Sequence, residues 1–306
     1  SSISGSSSVK TNLKNAKVRN SGVDFQIDGR ILTGDFKWNV SANISVNRNK
    51  VVDLGGINDL YLVSERNVVS HVTRSGLPIG SFYGYIADGI ISEKDYTNIM
   101  IDKSNLVNGK FPDGYQLIGP AVPNYNNIHP GDVKWRDVDK NGLITENDRE
   151  ILGNAYPDFT YGISTDFSYK NFDLSVMLYG RFDYMVDTGG EWQGGRYTQR
   201  KINYYNENNK NAEYQKPIHD DGGGDPYYQI LGYKNGSFLK VRNISLGYTF
   251  PQTLVKKWNL SNLKVYVQAK NPGRIFSNID FLELDASQNL TSTWNRGFTI
   301  GLNVGF

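Results

Sequence analysis

Residues 35–47, DFKWNVSANISVN, alternate almost without error. Phe36, Trp38, Val40, Ala42, Ile44 and Val46 fall on one side, and Lys37, Asn39, Ser41, Asn43, Ser45 and Asn47 on the other. A period of two marks a β-strand with one apolar and one polar face. What covers the apolar face decides everything after it. A second polypeptide layer would make a soluble β-domain, whereas hydrocarbon would make this segment one stave of a membrane barrel.

The pattern recurs in segments of about 10 to 14 residues, the length a tilted strand needs to cross an outer membrane. Residues 19–32 set Val23, Phe25, Ile27 and Ile31 against Asp24, Gln26, Asp28 and Arg30; residues 35–48 follow. Residues 158–170 carry Phe159, Tyr161, Ile163, Phe167 and Tyr169 on one face, and 172–182 carry Phe172, Leu174, Val176, Leu178 and Phe182. Segments 237–250, 262–270 and 294–306 complete seven strands, and SFYGYIADGI (81–90) is assigned to a loop. The connections sort by length. Turns at about 32–35, 170–171 and 251–261 are short, and they alternate with long links at about 49–157, 183–236 and 271–293. Outer-membrane barrels have this asymmetry, with short periplasmic turns and long external loops.

Side-chain placement agrees with lipid contact. The apolar faces of the 35–48, 158–182 and 262–270 segments carry no charge. By parity Lys240 and Arg242 share the face of Ile244, and Arg296 lies between Trp294 and Phe298, both near a loop end, where a cation costs little. Trp38, Tyr161, Tyr169, Phe172, Phe250 and Trp294 gather at strand ends as two expected aromatic girdles. The chain ends in Phe306 on the last apolar face, as a barrel-assembly signal would. No stretch approaches the roughly 20 apolar residues of a spanning helix, so a membrane reading requires strands. A net charge of +2 without Lys/Arg runs argues against nucleic acid as a partner, and the absence of cysteine removes disulfides and thiolate sites.

Two groups of residues could bind something. DVDKNGLITEND (137–148) has calcium-loop spacing: Asp137, Asp139 and Asn141 at positions 1, 3 and 5, Gly142 at the turn, the Leu143 carbonyl, and Asp148 at position 12. Asp148 stands where a longer bidentate Glu is usual, which predicts modest affinity. The same segment also reads as a rigid Asx-rich turn, with Thr145 capping a short helix over ENDREIL. In the 183–236 link, Trp192, Tyr197, Tyr204, Tyr205, Tyr227 and Tyr228 offer flat faces with polar edges, suited to stacking on sugar rings or to packing the loops on one another. His71, His129 and His219 lack metal spacing, and no catalytic constellation emerges, so an enzyme is not expected.

Five stretches together resemble the C-terminal third of SusC/RagA-family TonB-dependent outer-membrane transporters: NAKVRNSGVDFQI (15–27), GLPIGSFYGYIADGI (76–90), the run from Pro130 to Gly180, SFLKVRNISLGYTFP (237–251) and RGFTIGLNVGF (296–306). Departures at Pro272 in AKNPGRIF and in STWNRG fall in a loop. The resemblance implies an all-β, antiparallel transmembrane β-barrel of the 22-stranded transporter type, with residues 1–306 supplying the last third of its wall and the N-terminal plug and TonB box not among them. It further implies outer-membrane lipid around the wall, a SusD-like surface lipoprotein over the loops, energy from TonB with ExbB/ExbD, and a dimer of transporter–lid pairs. The cargo would be an oligosaccharide or, in the same family, an oligopeptide. The alternative outside the family is a secreted, calcium-stabilised β-sandwich acting as a binding or adhesion module.

Overall fold

The structure is a computed structural model that describes residues 13–63, 69–96, 129–140, 144–188, 203–217, 230–280, 284 and 295–306. In chain order the strands are β1 (Ala16–Thr33), β2 (Phe36–Leu54), β3 (Asp59–Val63), β4 (Val69–Arg74), β5 (Ser81–Tyr85), β6 (Ala87–Ile90), β7 (Val133–Trp135) and β8 (Arg149–Gly153). There follow β9 (Phe159–Tyr169), β10 (Phe172–Phe182), β11 (Met185–Asp187), β12 (Tyr233–Asn235), β13 (Phe238–Thr249), β14 (Asn262–Ser277) and β15 (Gly297–Gly305). The seven long ones form a single sheet in the order β1-β2-β9-β10-β13-β14-β15, antiparallel throughout. The sheet is open. β1 and β15 each have one neighbour, so what is present is a length of wall and not a closed barrel.

Register, more than any single strand, makes this wall two-faced. Ile27 pairs with Ala42, Ala42 with Ile163 and Ile163 with Leu178, so one apolar row crosses four strands. Trp38 pairs with Phe167, Phe167 with Leu174, Leu174 with Leu246, Leu246 with Val267 and Val267 with Ile300. Between such rows run polar ones, among them Asn39, Asp166, Ser175, Ser245, Gln268 and Thr299. A one-residue slip would send every apolar side chain to the other face.

Aromatic rings mark both limits of the apolar face. At the turn end Phe36, Tyr169, Phe172 and Tyr248 lie directly opposite one another across four strands, with Phe172 and Tyr248 4.7 Å apart and Tyr248 5.1 Å from Phe250. At the loop end Phe159 stacks on Phe182 at 5.0 Å, and Phe182 lies 6.2 Å from Phe276. Ten strand steps separate Phe159 from Tyr169, about 34 Å along the strand, and a tilt of about 35–45° leaves a band about 24–28 Å tall. That is the height of the apolar belt of an outer-membrane barrel.

Among the described residues nothing covers this band. Among the described residues no large apolar side chain between the girdles is buried, while Phe298 and Ile300 are 77% and 81% exposed and Val23, Phe25, Ile27, Ile44, Leu246 and Val267 are also open. Left in water at roughly half exposure, a dozen such residues forgo on the order of 10–20 kcal/mol, as much as the net stability of an ordinary domain. The β-sandwich alternative needs a second sheet over this face. The other sheets, β3-β4-β5-β8, β6-β7 and β11-β12, stand in the long links at the loop end instead. The two buried clusters lie there too: Tyr85, Ile91, Val133, Trp135, Ile144 and Ile230 in one, and Tyr184, Val186, Phe238, Ile279 and Leu284 in the other.

Three expectations need correction. Residues 81–90 lie in the link between β2 and β9, where they form β5 and β6 of small sheets rather than loop. The strand beginning at Asn262 does not stop before Pro272 but runs to Ser277, because Asn271 takes a left-handed φ of 49° and Asn271–Pro272 bulge out opposite Arg242. The third concerns Lys240 and Arg242. Arg242 is itself the extra residue of a bulge, with Asn243 opposite Met177 and Val241 opposite Leu178, so parity inverts there. Leu239 and Val241 take the apolar face, Lys240 pairs with Tyr179 on the polar one, and the Arg242 guanidinium sits 5.1 Å over the Tyr179 ring.

On the polar face Tyr266 lies across Gly301, where an added Cβ would meet its ring at 2.1 Å. Gly301→Val therefore forces the Tyr266 ring out of its place across the strand and is expected to destabilise the wall by about 1–3 kcal/mol, read as a lower urea midpoint in phospholipid vesicles. Gly301→Val combined with Tyr266→Ala should recover part of that loss.

Candidate functional site

The residues able to bind something stand at the loop end. The loop segment 137–148 closes on itself through Asp148, whose Oδ1 accepts from the Val138 and Asp139 amides at 2.8 and 3.4 Å. Its Oδ2 accepts from the Thr145 amide at 2.6 Å and the Thr145 hydroxyl at 3.3 Å. The Thr145 side chain in turn accepts from the Asn147 amide, so the capping box foreseen at Thr145 is formed. The helix expected after it shrinks to one 3-10 turn, Glu146–Asp148, because Arg149–Gly153 are drawn into β8 by pairing with β5. Tertiary pairing outcompetes a short helix that has few bonds of its own.

Asp137, Asp139 and Asp148 present carboxylate oxygens within 4.8 Å of one another, Asp137 and Asp148 buried and Asp139 exposed. Asp148 fits a cation poorly as a bidentate ligand, since both its oxygens already accept from the loop it closes. Asn141 and Leu143 lie outside the described residues.

The aromatic set divides. Trp192, Tyr197, Tyr227 and Tyr228 lie outside the described residues. Tyr204 is 41% exposed and keeps a face open. Tyr205, expected as a stacking platform, is 4% exposed: its ring lies against Gly131, where a Cβ would come within 2.5 Å of it, and Lys210 Nζ sits 5.0 Å over its face. It is a packing residue, held further by its hydroxyl to Glu93 at 3.3 Å and by the adjoining Lys210–Glu93 ion pair at 3.2 Å. Lys216 donates its amide to the Gly131 carbonyl at 2.8 Å, fixing residues 203–217 onto the β6-β7 unit.

Sequence reasoning passed over a second junction. His71 of β4 packs 4.5 Å from Phe82 of β5 and 6.3 Å from Tyr233 of β12, joining the four-stranded sheet to the β11-β12 hairpin. Burial lowers the His71 pKa, partly opposed by the Asp187 charge, and burial raises the Tyr233 hydroxyl to about 12, with the same Asp187 charge assisting. Nearby, Arg74 grips Asp59 with Nε at 2.6 Å and Nη2 at 2.7 Å, and together with the Tyr61 hydroxyl it holds that carboxyl down at about 2. No spacing rule could have found these contacts, since the partners are separated by whole elements.

A wall with an uncovered, girdled apolar face and long built-up links at one end has relatives. TonB-dependent receptor P3 of Formosa agariphila is 27% identical over 333 residues, spanning 98% of this chain and 30% of its own length. TonB-dependent receptor SusC of Bacteroides thetaiotaomicron is 27% identical over 264 residues, spanning 83% of this chain and 23% of its own length. The chain is akin to SusC-type TonB-dependent receptors. It spans about 30% of the length of the first of these relatives, and no family model matches it. Among solved structures, the RagAB peptide transporter superposes on this SusC-like chain with a TM-score of 0.64 at 19% identity, covering 95% of this chain and 30% of that one. The RagAB peptide importer in its open-open state gives 0.63 at 18% identity, covering 95% and 29%. At these identities the likeness is one of fold.

The His71 junction yields a pH dependence. Its folded pKa lies below the ordinary value of about 6.5, so its share of loop stability is present above that pH and is lost as pH falls through the folded value. Hydrogen exchange of the β4 and β5 amides should therefore quicken between pH 7.5 and 5.5 beyond the intrinsic rate change. In His71→Phe that extra acceleration should vanish.

Proposed function

We propose that this chain is the C-terminal part of the wall of a TonB-dependent importer in the bacterial outer membrane, which carries an oligosaccharide inward with the help of a SusD-like surface lipoprotein. In this reading TonB with ExbB/ExbD supplies energy through a plug outside residues 1–306, and the protein moves its cargo without chemical change. The observation that carries the reading is the uncovered apolar band, bounded by two aromatic girdles and fully separated from the buried clusters. Such a band suits hydrocarbon, where backbone must be paired within the sheet and charge is excluded from the middle.

The oligosaccharide assignment draws on the polar face. It offers amides and hydroxyls, such as Asn39, Asn43, Ser164, Ser175, Ser245 and Gln268, with few apolar side chains to hold those of a peptide. Tyr204, in the 183–236 link, adds an open ring. Calcium at Asp137 and Asp139 belongs to the same proposal as a stiffener of the long external link, with Asp148 holding the loop around it.

Two measurements test this. Arginine placed at Ile163, in the middle of the band, should cost about 2–4 kcal/mol of unfolding free energy in phospholipid vesicles, whereas at Phe159, on the girdle, it should cost about 0–1; equal costs at the two positions would rule lipid out. For calcium, a site of external-module affinity, roughly 10⁻⁴–10⁻³ M, predicts that millimolar calcium slows proteolysis of the 137–148 loop. The combined variant Asp137→Asn with Asp139→Asn should not respond.

A further inference from the structure

At the turn end of the wall the connections are unequal. Gly34–Asp35 and Lys170–Asn171 are two-residue turns, whereas β13 and β14 are joined through a short foot, one α-helical turn at Gln252–Val255 running into a 3-10 turn at Lys256–Trp258. The foot is fastened to the wall. Val255 is fully buried, its carbonyl accepts from the Leu260 amide at 3.1 Å, and Gln252 Nε2 donates to the Ser261 carbonyl at 3.0 Å. Asn259 closes it in left-handed conformation, at a φ of 56°. With Val255 turned inward, Leu254 and Trp258 are left 41% and 56% exposed.

Residues four apart share one flank of a helical turn, so Leu254 and Trp258 make a single apolar edge. Lys256 and Lys257, both exposed, lie between them in sequence and point elsewhere. No acidic residue occurs from Phe250 to Asn262. Elsewhere, the charged residues within two positions of a turn are Asp35, Lys37, Lys170, Asp173 and Lys264, and the last two are joined at 2.9 Å. Cations are therefore in excess at this end, and they are concentrated on the foot. The apolar face also runs down to it. Tyr248 and Phe250 are 5.1 Å apart just before the foot, Leu263 just after it is opposite Val304, and Phe306 is 95% exposed. An indole beside ammonium groups suits the boundary between acyl chains and headgroups, where the ring is half-buried and the cations meet phosphate.

We propose that this foot binds anionic phospholipid: Leu254 and Trp258 enter the headgroup boundary of the leaflet at the turn end, and Lys256 and Lys257 hold lipid phosphates beside them. The inference rests on the membrane-wall reading above and adds a partner to it. The contact fixes the depth of the wall. The lysines cannot sink below the phosphates, and Trp258 cannot rise into water without losing its cover. Because Val255 ties the foot to the strands, β13 and β14 are held at that level.

The test uses the complete transporter in phosphatidylcholine nanodiscs, with cysteines outside this chain replaced by serine and a fluorophore on Thr253→Cys, an exposed position of the foot. Small equal amounts of nitroxide-labelled phosphatidylglycerol or nitroxide-labelled phosphatidylcholine serve as quenchers. The anionic quencher should be about five-fold or more effective, the worth of one lysine at an anionic surface, and added salt should erode its advantage. Lys256→Gln with Lys257→Gln should bring the two quenchers within about two-fold of each other. Leu254→Ser with Trp258→Ser should weaken quenching by both. All four side chains are exposed, so both variants should assemble, judged by heat-modifiable migration. Equal quenching by the two lipids in the wild type, a preference that survives loss of both lysines, or quenching untouched by loss of Leu254 and Trp258 would overturn the proposal. A fluorophore on Ile300→Cys, 81% exposed in the apolar band, separates this from the reading beneath it: quenching there by neither lipid would overturn the membrane wall itself.

Discussion

The wall depends on strand register held across all seven strands, which keeps one face apolar from edge to edge. Backbone pairing between neighbouring strands sets that register. The same pairing lines Trp38, Phe167, Leu174, Leu246, Val267 and Ile300 into one row. Hydrogen bonding and face assignment are thus one constraint, and a slip that repaired a backbone bond would still put asparagine and serine on the apolar face. Even the polar exception on the apolar face is satisfied in place: the Trp38 indole N–H donates to the Thr165 hydroxyl at 2.8 Å.

The loop end obeys ordinary soluble-protein physics, and the strands bring it into being by running past the band. β2 extends to Leu54, where Val51 and Leu54 are buried and Val51 exchanges backbone bonds with Leu77 and Gly76. β14 extends to Ser277 and delivers Arg274 and Ile279 to the second cluster, next to Phe238 at the start of β13. The links are therefore anchored on rigid staves. Their remaining cohesion is local and partly electrostatic, through Tyr205 with Glu93 and Lys210, Arg74 with Asp59, and Lys234 with Glu213 at 2.5 Å. Exposed pairs of this kind contribute little each, so the links are held chiefly by the two buried clusters.

How much of this was legible in the sequence follows from the range of each signal. Alternation is local, so the seven long strands and the tight turns at Gly34 and Lys170–Asn171 could be read directly, although β2 and β14 run on to Leu54 and Ser277, past the ends at 48 and 270 that alternation marks. A bulge is decided by the partner strand. Nothing in LKVRNIS announces that Arg242 will be the unpaired residue, and parity counted through it puts Lys240 on the wrong face. The same limit hid the continuation past Pro272, where an asparagine in left-handed conformation absorbs what the proline cannot pair. In the links, REIL has residues compatible with helix or strand, and pairing with β5 chose. Tyr204 and Tyr205 are adjacent and chemically alike, yet one ring is open and the other shut against Gly131, because the outcome rests on a contact more than 70 residues away in sequence.

The bulges also show why a barrel wall carries irregularities where a uniform sheet would seem sufficient. A strand that alternates without interruption must keep the same parity from the turn end to the loop end, although the two ends face different surroundings. Below Arg242 the even-numbered residues Ile244, Leu246 and Tyr248 take the apolar face; above it the odd-numbered Leu239 and Val241 do, and the even-numbered Lys240 lies opposite Tyr179 on the polar one. One inserted residue lets β13 keep its oily face through the band and still bring a buried lysine to the inner mouth. On β14 two residues, Asn271 and Pro272, stand where β10 has none, so parity is kept and the even-numbered Arg274 stays on the polar face with Gln268 and Lys270; parity inverts only at Ile275, which sets Phe276 opposite Leu239 on the apolar face. Without the Arg242 bulge, Lys240 would share the face of Ile244.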